Sequence, residues 1–162
     1  MTQYEEALTL LTEQLGNSKD NLISLATIAR EPSSSNPRPV VREVDAHYED
    51  GTFYAVTNAL SNKMLQIAQN PEVAVSVCGQ WFNGVGTGEN LGWVLSPKNA
   101  ELRAKLRTTF AAWYDMANNE ADENCCILAI HLTKGTLNVN HWEKLYHLDF
   151  INKTDMPNGG II

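Results

Sequence analysis

The sequence predicts a mainly β (α+β) domain, an antiparallel barrel with few helices. Several runs alternate apolar and polar residues at the period of a strand, among them Val40 to Tyr48 and Glu72 to Gln80. Short turn signals such as Asp50-Gly51 and Asn70-Pro71 separate those runs. The regular alternation of strand and helix that marks a doubly wound sheet is missing.

The elements follow in chain order. Thr2 and Glu5 match a capping box, Tyr4, Ala7, Leu8, Leu11 and Leu15 recur at helical spacing, and Gly16 supplies a stop, so residues 1–16 read as a leading helix. The run LISLATIAR, Leu22 to Arg30, is rich in β-formers and uncharged until its last residue, as a strand covered on both faces would be. After the polar turn EPSSSNP, the stretch Arg38 to Tyr48 places Val40, Arg42, Val44, Ala46 and Tyr48 on one face. Asp50-Gly51 turns the chain into a strand from Thr52 to Asn58. Ser61 is a fitting N-cap for a short helix with Met64, Leu65, Ile67 and Ala68 on its buried side, ended by Asn70-Pro71.

A strand from Glu72 to Gln80 leads into WFNGVGTGENLGWVLSP, which reads as a bent or bulged strand. Ser96-Pro97 opens a long helix with Leu102, Leu106, Phe110, Trp113 and Ala117 as its apolar stripe. CCILAIHLT then continues through Lys134-Gly135 into TLNVNHW, and a further short strand runs from Leu145 to Phe150. Residues 151–162, rich in Asn, Pro and Gly, are expected to be a flexible tail.

Length and composition bound the reading. With 162 residues and 43% apolar content the chain is expected to form one domain, residues 1–162. A net charge of -7 argues against nucleic acid and anionic membranes as partners, although a local pocket of Arg and Lys still suits a small anionic cofactor. No basic segment precedes an apolar run at the start, and no run approaches the roughly 20 apolar residues of a membrane span. Three cysteines, two of them adjacent at 125 and 126, suit reduced thiols on opposite faces of a strand, and the expected compartment is the cytoplasm.

Two features carry chemistry. Arg42 shares a face with Val40 and Val44, so its guanidinium points where apolar side chains point and calls for a partner such as phosphate. A few residues on, a strand ends in Thr57-Asn58 and a helix starts at Ser61 with Lys63 in its first turn, a compact seat for an anion. The alternative for each is ordinary: a rim arginine beside Glu43 or Asp45, and a plain N-cap with a solvent lysine.

The whole run PRPVVREVDAHYEDGTFYAVTNALSNKMLQIAQNPEVAVSV resembles the core of the pyridoxamine 5'-phosphate oxidase-like FMN-binding split barrels. The matching pieces are Arg42, Asp50-Gly51, Thr57-Asn58, Ser61 with Lys63, and Asn70-Pro71, and the match is strongest from Leu22 to Val77. The resemblance implies a six- to seven-stranded antiparallel split β-barrel with flanking helices. It implies an FMN phosphate held by Arg42, Thr57, Ser61 and Lys63, a flavin ring beside Val56 and Asn58, and a homodimer with FMN at the interface. Asn62 stands where the oxidases often carry Arg, and the ending HLDFINKTDMPNGGII has no Arg-Leu-x-Pro segment of the substrate-gripping kind. The chain is therefore more similar to the general stress protein branch of the family.

Trp81 and Trp93 bracket the glycine run GVGTG, whose glycines let backbone or a flat ring approach closely. They are candidates to flank a flavin or substrate pocket, against the alternative of packing in the core or at a dimer seam. The run lacks the Lys-Ser/Thr of a P-loop, and neither a cluster of metal ligands nor a Ser/His/Asp order stands out. The expected activity is an FMN-dependent oxidoreductase acting on an unidentified small molecule. A non-catalytic flavin-binding carrier or sensor is the competing reading, with a deazaflavin or haem as other cofactors of the same barrel.

Overall fold

The computed structural model describes residues 1–156. Helix α1 (Gln3–Leu15) begins at the capping box, in which the Thr2 hydroxyl accepts from Glu5 N and the Glu5 carboxylate accepts from Thr2 N. Eight strands follow: β1 (Asn21–Arg30), β2 (Pro37–Glu49), β3 (Thr52–Asn58), β4 (Glu72–Val77), β5 (Phe82–Trp93), β6 (Cys125–Val139), β7 (Lys144–Asp149) and β8 (Thr154–Asp155). Helix α2 (Asn62–Gln69) joins β3 to β4. A 3-10 turn (Pro97–Asn99), α3 (Ala100–Thr109) and α4 (Tyr114–Ala117) join β5 to β6.

All pairings are antiparallel, in the order β3-β2-β1-β4-β5-β6-β7-β8, and β3 also pairs with β6. That last pairing closes six strands into a barrel and leaves β7 and β8 as an extension of β6. Asp50 (φ 47) and Gly51 (φ 77) both take left-handed backbone, the requirement of a tight type I′ hairpin between β2 and β3. The barrel interior holds Ile23, Leu25, Ala46, Phe53, Phe82, Leu128, Ile130 and Leu137, with Ala7, Leu11 and Leu15 of α1 packed on the same cluster. A second cluster of Val94, Leu106, Phe110, Tyr114, Cys125 and Ile127 lies between the outer barrel wall and α3–α4. Cys125 and Cys126 thus face opposite clusters, and the three thiols are free.

Several expectations change. β1 is covered on one face only: Ile23 and Leu25 are buried, whereas Leu22 is 50% exposed. The run through Lys134-Gly135 is one continuous 15-residue strand, β6, in which both residues are paired. The long helix stops at Thr109 and α4 starts at Tyr114, since Phe110 and Trp113 (φ -104 and -140) leave helical geometry to bury Phe110 in the second cluster. Of the expected tail 151–162, Thr154–Asp155 pair with β7, and residues 157–162 lie outside the described residues. The glycine strand is bulged as expected. Between Val85 and Gly86 the register skips one residue of β6, and a Cβ at Gly86 would lie 2.0 Å from the His131 carbonyl oxygen. The close approach there is made by the chain's own backbone. Among the described residues no helix is long and apolar enough to cross a membrane.

Candidate functional site

The pairing of β2 with β3 covers only His47–Glu49 against Thr52–Tyr54. Beyond it β2 remains paired to β1 and β3 to β6, so the two strands part and each keeps one edge without a neighbouring strand. A pocket of about 440 Å³ fills this split. Glu43, Val44 and Asp45 of β2 form one wall, Val56, Thr57 and Asn58 of β3 the other, and Lys63 of α2 closes one end. Trp113 and Asn118 come from the segments around α4.

The structure brings Val56, Thr57, Asn58 and Lys63 to one pocket and sets Arg42 and Ser61 beside it. The Arg42 guanidinium donates to the Thr27 hydroxyl at 2.6 Å and to Gln66 Oε1 of α2 at 2.9 Å. It donates also to the Leu25 and Val40 carbonyls at 3.3 Å. Burial lowers the affinity of Arg42 for its proton. Burial, followed by the charge of Arg42, pulls the Lys63 pKa below the ordinary lysine value. Among the described residues neither cation forms an ion pair. Two half-buried positive charges near each other and without an ion-pair partner are costly unless an anion joins them.

Ser61 occupies the N-cap position of α2, yet its side chain makes no capping bond, contrary to the expected role. Its Oγ is buried and has no hydrogen-bond partner. Thus a hydroxyl, an ammonium and the first turn of a helix stand together with unused donor capacity.

Trp81 and Trp93 do not join this group. Trp93 packs against the second core cluster and donates its indole N–H to the Glu120 carbonyl at 2.8 Å. Trp81 is 51% exposed and lines a different pocket with Asn138 and Trp142. Residues missed by the sequence reading include Asp45 and Trp113. Burial, then the charge of Asp20, raises the Asp45 carboxyl above its usual range. Trp113 reads as one more apolar position on a helix, and only the helix break turns it into the pocket, where its indole N–H donates to Asp20 Oδ2 at 2.7 Å.

The same barrel occurs in solved structures of other proteins. General Stress Protein 26 from Bacillus anthracis is 17% identical with a TM-score of 0.58, covering 83% of this chain and 92% of that one. A pyridoxamine 5'-phosphate oxidase-related, FMN binding protein from Nostoc punctiforme is 16% identical with a TM-score of 0.56, covering 91% of this chain and 89% of that one. A heme binding protein from Mycobacterium smegmatis is 11% identical with a TM-score of 0.63, covering 89% of this chain and 59% of that one. The chain has the fold of the pyridoxamine 5'-phosphate oxidase-like split barrels. No protein-family model and no curated protein matches it.

Proposed function

We propose that this chain binds FMN in the split between β2 and β3 and serves as a flavin-dependent oxidoreductase. The observation that carries the reading is the buried Ser61 hydroxyl without a partner beside the Lys63 ammonium, with the Arg42 guanidinium, hydrogen-bonded to Thr27 and Gln66 but in no ion pair, close enough to act on Lys63. A phosphate answers all three. Thr57, at the end of β3, adds a hydroxyl on the pocket wall.

The ring portion would lie along the split, where β2 and β3 present backbone edges beside Val56 and Asn58. Bound there, FMN would supply hydride or electron transfer at its ring. The chain's residues hold the phosphate, align the ring on strand edges and, through Trp113, cover one side of the pocket. The choice of FMN over haem is supported by the pocket walls. Among the described residues no histidine lines the pocket, and Cys125, a residue type that can ligate haem iron, has its thiol pKa raised by burial.

The proposed assembly is a homodimer in which a second copy covers the open split. Trp81 lines a pocket that shares no residue with the one at Lys63 and would meet the ring from such a second copy. A non-catalytic flavin carrier needs the same seat, and turnover with a nicotinamide donor and an electron acceptor separates it from an enzyme.

Titration of FMN fluorescence with the purified chain tests the seat. The expected result is quenching by the wild type and at least about tenfold weaker binding by Lys63→Ala and by Arg42→Ala. A wild type that takes up no FMN ends the cofactor reading and leaves the fold untouched.

A further inference from the structure

A pocket of about 320 Å³ lies where the end of α1 meets the β2–β3 hairpin and α3. Asn17 and Ser18 of the turn after α1 form one side, His47, Glu49 and Asp50 of β2 and its hairpin another, and Lys105 of α3 a third. It shares no residue with the pocket at Lys63, so it stands apart from the FMN reading. Its size suits a small organic molecule.

His47 is the residue here with an unmet bond. It is 5% exposed, and burial, opposed in part by the charge of Glu49, holds its pKa below the ordinary 6.5. The imidazole is therefore neutral at pH 7, with one N–H and one lone pair to place. Nδ1 lies 2.8 Å from the Thr109 hydroxyl of α3, which leaves Nε2 as the free nitrogen. Nε2 is buried and has no hydrogen-bond partner. Glu49 Oε2 stands 3.8 Å away, beyond hydrogen-bond reach, and the Glu49 carboxylate accepts instead from Lys105 Nζ at 2.7 and 2.9 Å.

The charge around His47 selects the guest. Glu49 is answered by Lys105, whereas Asp50, exposed at the hairpin, forms no ion pair among the described residues. Two carboxylates against one ammonium leave the pocket with a net negative charge. With the ring proton on Nδ1, donating to Thr109, the Nε2 lone pair faces a carboxylate oxygen with no donor between them, and a cation carrying N–H groups satisfies both. A metal ion does not fit, since among the described residues no three His, Cys, Asp or Glu side chains gather to hold one. We propose that this pocket binds a small organic ammonium ion whose N–H groups donate to His47 Nε2 and Glu49 Oε2, with Asp50 supplying the balancing charge. Because Nε2 is shut off from water, the guest reaches it by displacing a side chain, and Glu49, with 41% of its side chain exposed, is the one beside it that can turn.

The n-butylammonium ion is the probe, and 1-butanol, equal in length and uncharged, is its control. Each is titrated into the full-length chain near neutral pH at fixed ionic strength, and binding is followed by ligand-observed NMR. The expected result is binding of the amine and at least about tenfold weaker binding of the alcohol, the loss that goes with a charge-assisted hydrogen bond. His47→Phe, which keeps a ring and removes both nitrogens, should weaken the amine by at least about tenfold as well. Asp50→Asn keeps a residue suited to the left-handed backbone there (φ 47) and should weaken the amine about two- to fivefold, as an exposed charge does. Amine binding unchanged in folded His47→Phe, or in Asp50→Asn where His47→Phe fails to fold, overturns the proposal, as does absence of amine binding or equal binding of the alcohol.

Discussion

The indole N–H of Trp113 reaches Asp20 Oδ2 at 2.7 Å and ties the segment between α3 and α4 to the residue just before β1. This strap stands beside the split, with Trp113 as a wall of the pocket. Trp113→Phe keeps an aromatic wall but loses the tether. The expected outcome is FMN affinity reduced several-fold with stability lowered by about 1 kcal/mol, read from flavin titration and urea unfolding. Unchanged affinity would place Trp113 outside the flavin's reach.

Lys63 is expected to act on stability and on binding in opposite directions, and Ser61 to matter little for stability. Burial depresses the Lys63 pKa, so the charged form is penalised in the fold at neutral pH, and the penalty is relieved as pH rises through the folded value. Lys63→Met should therefore stabilise the ligand-free chain by about 1 kcal/mol while weakening FMN binding. Ser61→Ala removes a hydroxyl that caps nothing, so its cost should fall short of the about 1 kcal/mol of a true cap. Thermal unfolding of both variants checks the signs, and a clear loss of stability in Lys63→Met would refute the argument.

Acid stability should depend on Glu120. Its carboxylate accepts from Arg103 at 2.6 and 2.9 Å, from Arg107 at 3.1 Å and from the Tyr114 hydroxyl at 2.9 Å. The Arg103 bond, with the Tyr114 and Arg107 bonds adding to it, brings the Glu120 pKa down to about 2 from the ordinary 4.5. The folded value lies below the unfolded one, so the stabilisation is present above about 4.5 and is lost as pH falls toward about 2. Discounted for solvent screening of this partly exposed network, it is on the order of 2 kcal/mol. Urea unfolding at pH 7, 4 and 2.5 should show a shallower acid decline in Glu120→Gln than in the wild type.

Thiol reactivity should split the cysteines. Cys78 is exposed, Cys125 and Cys126 are buried, and burial pushes Cys126 up to about 11. A disulfide reagent at neutral pH should modify one thiol in the native chain and all three after unfolding. Fast modification of a second thiol in the native chain would contradict this packing.

Gly86→Ala should be severe, since the added carbon would lie 2.0 Å from the His131 carbonyl oxygen inside the β5–β6 pairing. A loss of about 3 kcal/mol or more is expected in denaturant unfolding, against a small effect for Gly79→Ala in open space, where only the left-handed φ of 79 resists the change.

Much of the barrel is legible locally. The alternation of Val40 to Tyr48, the Asp50-Gly51 hairpin and the bulge among the glycines each follow from short-range residue chemistry, and each is present. The break at Phe110 is not legible, because no Gly or Pro marks it. Burial of Phe110 against Val94 and Tyr114 wins over helix propensity there. The residues proposed to seat a phosphate lie within one run of chain from Arg42 to Lys63, so their grouping could be read in order. The Trp81 pocket joins positions 81, 138, 142 and 147, which only the closed sheet brings together. One-faced burial of β1 was hidden for the same reason: an apolar run says that a strand is wanted in a core but not how many neighbours it will have.

The β3–β6 pairing has a consequence for how the chain must be made. Asn58 meets Cys125 and Thr52 meets His131, so the closing contacts join segments far apart in sequence. During synthesis β3 emerges long before its partner, and until β6 follows, β3 and β5 both present bare edges to other nascent chains. The ring of strands cannot shut early, and folding is expected to wait for one late segment, with the slow kinetics of non-local topology. A chain stalled before Cys125 is an open, adhesive sheet.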